Sequence, residues 1–177
     1  WEELPMDYSK LQNGSDIRGI ACEGVEGENV NLTEEAGNLI GGGFVRWLAQ
    51  KKGKAVEELR IGIGHDSRIT ADSLFAAAAK GIVATGAKVY DCGLVSTPSM
   101  FMTTVFDEFA FDGSIMITAS HLPFNRNGYK FFDRDGGLEH DDITKVLEIA
   151  SGLEIVDSDL SGVEKADSIS VYCDFLR

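Results

Sequence analysis

The sequence is poor in positive charge and lacks long apolar runs. Its 177 residues include 16 Lys and Arg against 29 Asp and Glu, which gives a net charge of -13. This acidic balance argues against nucleic acid and anionic membrane surfaces as non-specific partners. No apolar run reaches the length of about 18 residues that a membrane-spanning helix needs, and no secretory signal is visible.

Cysteine is also scarce. Cys22, Cys92 and Cys173 are odd in number, lie far apart and lack the spacing of a metal site. The simplest interpretation is that they are buried structural thiols in a reduced, cytoplasmic setting.

Apolar runs and helical patterns alternate along the chain, and with 44% hydrophobic residues the chain can bury a sizeable core. The order predicts a three-layer α/β/α fold with a mixed sheet of about four strands and helices on both faces. The expected strands are 59–64, 88–92, 114–118 and 129–132. The last two follow each other closely, which indicates an antiparallel pair. Glycines 41–43, inside the first expected helix, suggest close packing on a sheet.

The pattern also divides the chain into three parts. Residues 1–10 form a lead-in, 11–150 form the folded domain, and 151–177 form a linker and the start of a helix. Because the last residues are apolar and patterned, we expect the natural protein to continue beyond Arg177.

The stretch 115–130 joins two apolar runs through a loop that begins with a Ser-His pair. Ser120 and His121 follow the first run, Pro123 and Gly128 favour a loop, and Lys130 lies in the second run. This arrangement places a hydroxyl at a strand end and returns a cation towards it. We interpret Ser120 as a nucleophile that carries phosphate.

A serine hydrolase is a competing interpretation. Acyl transfer would need a base, an orienting carboxylate and an oxyanion hole. The Gly-x-Ser-x-Gly turn of many hydrolases is absent around Ser120. Side chains of adjacent residues in extended chain point to opposite sides, so a relay between Ser120 and His121 is awkward.

Several cations favour phosphoryl transfer instead, because a phosphate needs charge stabilisation more than covalent help. The candidates are Arg18, Lys130, Arg126 and Arg68. His121 could donate to a phosphoryl oxygen or act as an acid or base at a sugar hydroxyl, or it could be an ordinary loop residue.

Two further polar stretches have open interpretations. Residues 14–19 (Gly-Ser-Asp-Ile-Arg-Gly) form either an anion-binding turn that includes Arg18 or a surface turn with a solvated arginine. Residues 64–68 (Gly-His-Asp-Ser-Arg) follow an expected strand and suit a binding loop, but Asp66 and Arg68 could equally pair with each other or cap the next helix.

These stretches together resemble the α-D-phosphohexomutase family, which includes phosphoglucomutase, phosphomannomutase and phosphoglucosamine mutase. The matching motifs are 14–19, 64–68, Ser-Thr-Pro at 96–98, and Thr-Ala-Ser-His-Leu-Pro at 118–123 followed by Asn-Gly-Tyr-Lys at 127–130. They occur in the family's order over roughly residues 11–150. The match covers only the first of the family's four domains.

The resemblance implies an isomerase that interconverts hexose 1-phosphate and hexose 6-phosphate through a bisphosphosugar. Ser120 would carry the phosphate, with His121 and Lys130 as the other catalytic residues. Arg18 matches the arginine that contacts the phosphate, and we expect Ser15 and Arg126 to bind phosphate as well.

The resemblance also implies Mg²⁺ as cofactor, held by the phosphate on Ser120 and by an Asp-x-Asp-x-Asp loop of the second domain. The implied partners are a hexose phosphate substrate and domains II to IV of the same chain, without which residues 1–177 would be inactive.

The sequence departs from the family pattern in three ways. The first motif, residues 14–19, is shorter than the frequent Gly-Thr-Asp-Gly-Ile-Arg-Gly form. Leu122 stands where Asn is common, and His65 stands where Arg is common. Leu122 removes an amide near the phosphate. This leaves a second hypothesis open, a non-catalytic sugar-phosphate or anion-binding module that retains the motifs.

Overall fold

The computed structural model describes residues 7–177, so residues 1–6 of the predicted lead-in lie outside the described residues. The remaining lead-in residues are partly ordered by a short 3₁₀ helix at Tyr8–Leu11, which Asp7 caps by accepting the Ser9 N–H. Leu11 is buried against the core.

One mixed sheet forms the centre of the molecule. Its strands are β1 Gln12–Asn13, β2 Asp16–Ile20, β3 Arg60–His65, β4 Lys88–Leu94, β5 Gly113–Ile117, β6 Arg126–Asp133, β7 Gly136–Gly137 and β8 Glu164–Lys165. The order is β1-β2-β6-β5-β3-β4-β8, and β7 pairs with β6. The contacts of β3 with β4 and β5, and of β4 with β8, are parallel, whereas the others are antiparallel.

The α/β class and the antiparallel return from β5 to β6 are confirmed. The number of strands is larger than the expected four for two reasons. β2 lies in a glycine-containing stretch whose composition predicts a turn. β1, β7 and β8 are only two residues long. Such short strands leave no periodicity in a sequence.

Helices cover both faces of the sheet. They are α1 Glu34–Lys52, α2 Ala71–Val83, α3 Thr97–Met102, α4 His140–Ser151 and α5 Ser168–Phe175. Thr33 caps α1, because its Oγ1 accepts the Ala36 N–H at 3.1 Å. Thr70 stands at the N-cap of α2 but its hydroxyl instead accepts from Asn127 Nδ2 at 2.8 Å.

The alternation of side chains along β5 separates two cores. Ile115 and Ile117 pack with α1, α2 and α4, whereas Met116 points to the other face and packs with Met100 of α3. Two apolar layers on opposite sides of one sheet define the three-layer α/β/α arrangement.

The close packing expected of glycines 41–43 occurs between helices rather than on the sheet. A Cβ at Gly41 would lie 2.4 Å from the Ala78 carbonyl oxygen of α2, and one at Gly43 would lie 2.7 Å from the Val146 carbonyl oxygen of α4. These glycines let α1 approach both neighbouring helices.

The polar segment after α4 contacts the domain at two places. Asn38 of α1 donates to the Val156 carbonyl at 2.8 Å and accepts the Val156 N–H at 2.9 Å. Further on, β8 pairs with β4 at the sheet edge.

The three cysteines are free thiols with different surroundings. Cys92 is buried, and burial raises the pKa of its thiol to about 11. The expectation that all three are buried is wrong, because Cys22 is half-buried and Cys173 is exposed. Within residues 7–177, no helix has the length and apolar character needed to cross a membrane.

Candidate active site

Ser120 lies in the loop that follows β5 and is exposed. Its backbone φ is 54°, in the left-handed region that non-glycine residues seldom adopt. The Ser120 N–H donates to Thr118 Oγ1 at 3.0 Å, and the Thr118 hydroxyl donates to Asp66 Oδ2 at 2.7 Å. This chain of hydrogen bonds ties the serine to the loop after β3.

Arg18 reaches the serine from β2. Its Nη2 donates to Ser120 Oγ at 3.0 Å. The approach depends on Gly128, which faces Arg18 across the β2–β6 pair: a Cβ there would lie 2.2 Å from the Ile17 carbonyl oxygen. Arg18 is therefore not the solvated arginine of a surface turn.

Asp16 connects Arg18, which contacts the serine, with Lys130. Its Oδ2 accepts from Arg18 Nη2 at 3.1 Å, and its Oδ1 accepts from Lys130 Nζ at 3.2 Å. The three side chains are largely shielded from solvent, with exposed fractions of 13% for Asp16, 15% for Arg18 and 32% for Lys130. The cluster orients the cations while it carries one net positive charge.

Arg68 lies beneath the serine loop. Its Nη2 donates to the Ser120 and Leu122 carbonyl oxygens at 2.9 and 2.8 Å, and its Nη1 donates to those of Pro123 and Arg126 at 2.8 and 3.0 Å. The expectation that Asp66 pairs with Arg68 also holds, because Nε lies 3.5 Å from Asp66 Oδ2.

Arg126 is held beside the loop by an ion pair with Glu28, whose Oε2 lies 3.0 Å from Nη2. Arg126, Arg18 and Leu122 line a polar cleft of about 370 Å³. Ser15 is exposed in the turn between β1 and β2. The structure thus brings Arg126 and Arg18 to one cleft, and phosphate binding by them and by Ser15 stays a prediction.

His121 is exposed next to the serine. Ser120 Oγ contacts Arg18 rather than the imidazole of His121. Arg18 donates to Ser120 Oγ, and in the part of the chain that the structure describes no side-chain base accepts a hydrogen bond from this hydroxyl, which disfavours the hydrolase interpretation.

The residues present do not form a magnesium site by themselves. Mg²⁺ prefers octahedral oxygen ligands. The carboxylates beside Ser120, those of Asp16 and Asp66, already accept hydrogen bonds from Arg18, Lys130 and Thr118. In residues 7–177 no group of three or more His, Cys, Asp or Glu side chains could hold a metal ion.

Sequence reasoning missed Asp16 and the contact between Thr118 and Asp66. The position of Asp16 carried a signal, because residues two apart on a strand share a face and Asp16 therefore lies beside Arg18. The contact between Thr118 and Asp66 carried none, since it depends on the parallel pairing of β3 with β5.

The fold and the site define a three-layer α/β/α domain with an arginine-bound serine at the end of its β5 strand. Residues 9–154 match the family model described as phosphoglucomutase/phosphomannomutase, alpha/beta/alpha domain I. The chain belongs to this family, and the resemblance drawn from the motifs is confirmed.

Known relatives agree with this assignment. A phosphoglucosamine mutase of Corynebacterium jeikeium is 30% identical over 170 residues, which cover 92% of this chain and 36% of the relative. A phosphoglucosamine mutase of Caldicellulosiruptor bescii is 36% identical over 141 residues, which cover 78% and 28%. The chain thus spans about a third of the length of these relatives.

A solved structure supports the fold. The crystal structure of a phosphoglucomutase/phosphomannomutase family protein from Burkholderia thailandensis superposes with a TM-score of 0.72 at 23% identity, and the match covers 96% of this chain and 35% of that one.

Proposed function

We propose that this chain is the serine-bearing domain of a phosphohexomutase that interconverts hexose 1-phosphate and hexose 6-phosphate. Ser120 carries a phosphoryl group, donates it to the sugar phosphate, and recovers a phosphoryl group from the resulting bisphosphosugar. The observation that carries the proposal is the hydrogen bond of Arg18 to Ser120 Oγ, in a chain whose net charge is -13.

The roles of the side chains follow from charge. In the transfer step a sugar hydroxyl attacks phosphorus and gives its proton to a base, while the bond from phosphorus to Ser120 Oγ breaks and Oγ takes up a proton to leave as the serine hydroxyl. Arg18 and Lys130 stabilise the negative charge of the phosphoryl group. Lys130 acts as a cation, since its ammonium group donates to Asp16, and the exposed His121 is the candidate acid or base.

The two relatives described above are named phosphoglucosamine mutase, which makes glucosamine phosphate the first substrate to test. The complete activity requires further domains, because the chain covers about a third of these relatives. We propose that domains II to IV supply the sugar-binding groups and that residues 1–177 alone are inactive.

Mg²⁺ would stabilise phosphate charge in the complete protein. This chain would contribute the phosphate on Ser120 as one ligand, and the remaining ligands would come from outside it. A cytoplasmic location also belongs to the proposal and is consistent with the three free cysteines.

The test is intact mass and peptide mapping of the full-length protein after incubation with hexose 1,6-bisphosphate. We expect one phosphoryl group on Ser120, mutase activity in the wild type, and loss of both in Ser120→Ala. An active Ser120→Ala variant without phosphoserine would refute the proposal. Binding of sugar phosphates without turnover would indicate the anion-binding module instead.

A further inference from the structure

Arg68 is a cation near Ser120 with no assigned part in the proposed reaction. We propose that it is a positioning residue, which fixes the reactive conformation of the serine loop from its buried side. The inference rests on the proposed function and adds a residue to the same site.

The hydrogen bonds of Arg68 argue against a role as a phosphate ligand. A guanidinium group has five N–H donors. Four carbonyl oxygens of residues 120–126 lie 2.8–3.0 Å from its two terminal nitrogens, and Nε faces Asp66. Nε makes no hydrogen bond but is buried, and with 12% of the side chain exposed no solvent-facing donor is left to point at a phosphate on Ser120.

The direction of the carbonyl groups matters for a phosphoryl anion. Carbonyl oxygens are the negative ends of peptide dipoles, and they would repel a phosphate that they faced. Arg68 holds those of Ser120 and Leu122 on the buried side. Because a trans peptide directs N–H opposite to C=O, the N–H of His121 points away from the guanidinium. Within residues 7–177 this N–H has no backbone acceptor, so it is available to an anion.

The backbone of Ser120 needs such support. A serine with φ of 54° is strained, and strain persists only where surrounding contacts determine the conformation. Thr118 holds the N–H of Ser120, and Arg68 holds its carbonyl. Asp66 in turn fixes the main chain at Arg68, since Oδ1 accepts the backbone N–H of Arg68 at 3.1 Å.

The experiment compares Arg68→Ala and Arg68→Lys with Arg60→Ala in the full-length protein. Arg60 is the matched control, because its Nη1 also donates to a carbonyl, that of Phe109, and its guanidinium stacks on Tyr90 at the opposite end of β3. Three quantities are measured per folded molecule: the rate of Ser120 phosphorylation by hexose 1,6-bisphosphate, the KM for that donor, and hydrogen exchange of residues 119–126.

We expect Arg68→Ala to slow phosphorylation about 100-fold, because a misplaced nucleophile loses alignment. Its KM should change less than about threefold, since no ligand contact is removed. Hydrogen exchange of the loop should accelerate, and added guanidinium ion should restore part of the rate. Arg68→Lys, which keeps the charge but cannot reach four carbonyls, should be intermediate. Arg60→Ala should lower the free energy of unfolding but leave the phosphorylation rate, the KM and the hydrogen exchange of residues 119–126 as in wild type.

A wild-type phosphorylation rate in folded Arg68→Ala would overturn the inference, as would an increase in KM at unchanged rate, which would identify a phosphate ligand. If Arg68→Ala does not fold, a wild-type rate in Arg68→Lys overturns it equally. If the wild-type protein is never phosphorylated, the proposed function fails instead. In that case the positioning role of Arg68 is still tested by hydrogen exchange. If residues 119–126 exchange at the same rate in Arg68→Lys as in Arg60→Ala, this role is rejected as well.

Discussion

Arg18 and Ser120 are 102 positions apart, yet Nη2 of the arginine lies 3.0 Å from Oγ of the serine. The contact exists because β2 pairs with β6 and β6 pairs with β5, which ends just before the serine. A phosphoryl group on Oγ would therefore be formed next to a guanidinium that is already oriented by Asp16. Because the guanidinium is already in place, little reorganisation of the site is needed when negative charge develops during phosphoryl transfer.

The first prediction concerns Arg18→Ala. Removal of a preorganised donor at the phosphoryl group should reduce the rate of transfer between Ser120 and substrate about 100-fold. Stopped-flow or quench measurements of phosphoserine turnover in the full-length protein provide the readout. Arg134→Ala, at an exposed arginine, is the control and should retain the wild-type rate. Equal rates in both variants would remove the basis of the proposed site.

The second prediction concerns Asp16, which accepts from both Arg18 and Lys130. Asp16→Asn keeps the shape but leaves two shielded cations without an anion, so the free energy of unfolding should fall by about 1–3 kcal/mol. Urea denaturation measures this loss. A double-mutant cycle with Lys130→Met should show a coupling of about 0.5–3 kcal/mol, because the residues are in contact. Strict additivity would show that the side chains act independently.

The course of the chain explains which parts of the fold could be predicted. β3, β4, β5 and the second half of β6 contain short, mostly apolar stretches, so their approximate positions were evident from the sequence. β2 begins with buried Asp16 and Ile17, followed by half-buried Arg18. These residues lie between Gly14 and Gly19, which is also the composition of a turn. Only the pairing of β2 with β6 makes it a strand, and that pairing is tertiary information.

The site, too, could be predicted from the sequence only in part. The proximity of Lys130 to the serine region follows from the short return between two strands. The orientation of Arg68 could not be predicted, because an arginine can donate to carbonyl oxygens as well as to phosphate oxygens. The conformation of the loop backbone determines which acceptors Arg68 meets, and that conformation depends on the left-handed φ of Ser120.

The third prediction tests the close approach that brings β2 to the site. In Gly128→Ala the new methyl group would lie 2.2 Å from the Ile17 carbonyl oxygen, so the strands must separate. We expect a loss of about 1–3 kcal/mol in the free energy of unfolding. The control is Gly162→Ala, where no heavy atom lies within 4 Å of the added Cβ and the stability should stay within about 0.5 kcal/mol of wild type. Comparable stability of both variants would contradict the close approach of β2 and β6 at this glycine.

The last prediction concerns pH and lies at the other end of the sheet. Burial alone would raise the pKa of Asp112, but hydrogen bonds from Lys54 Nζ and the Arg60 N–H, each 2.8 Å long, outweigh it and lower the pKa. A lowered folded-state pKa stabilises the protein above the unfolded-state value of about 3.9. This contribution is lost as the pH falls through the folded-state pKa.

Asp112→Asn should therefore be less stable than wild type at neutral pH, by about 1–3 kcal/mol. It should also lose stability less steeply than wild type as the pH falls below about 4. Urea unfolding from pH 7 downwards measures both effects. Asp107→Asn is the control, because Asp107 is exposed, and it should follow the wild-type curve. A parallel pH dependence of Asp112→Asn and wild type would mean that the Lys54 and Arg60 contacts do not favour the ionised carboxylate.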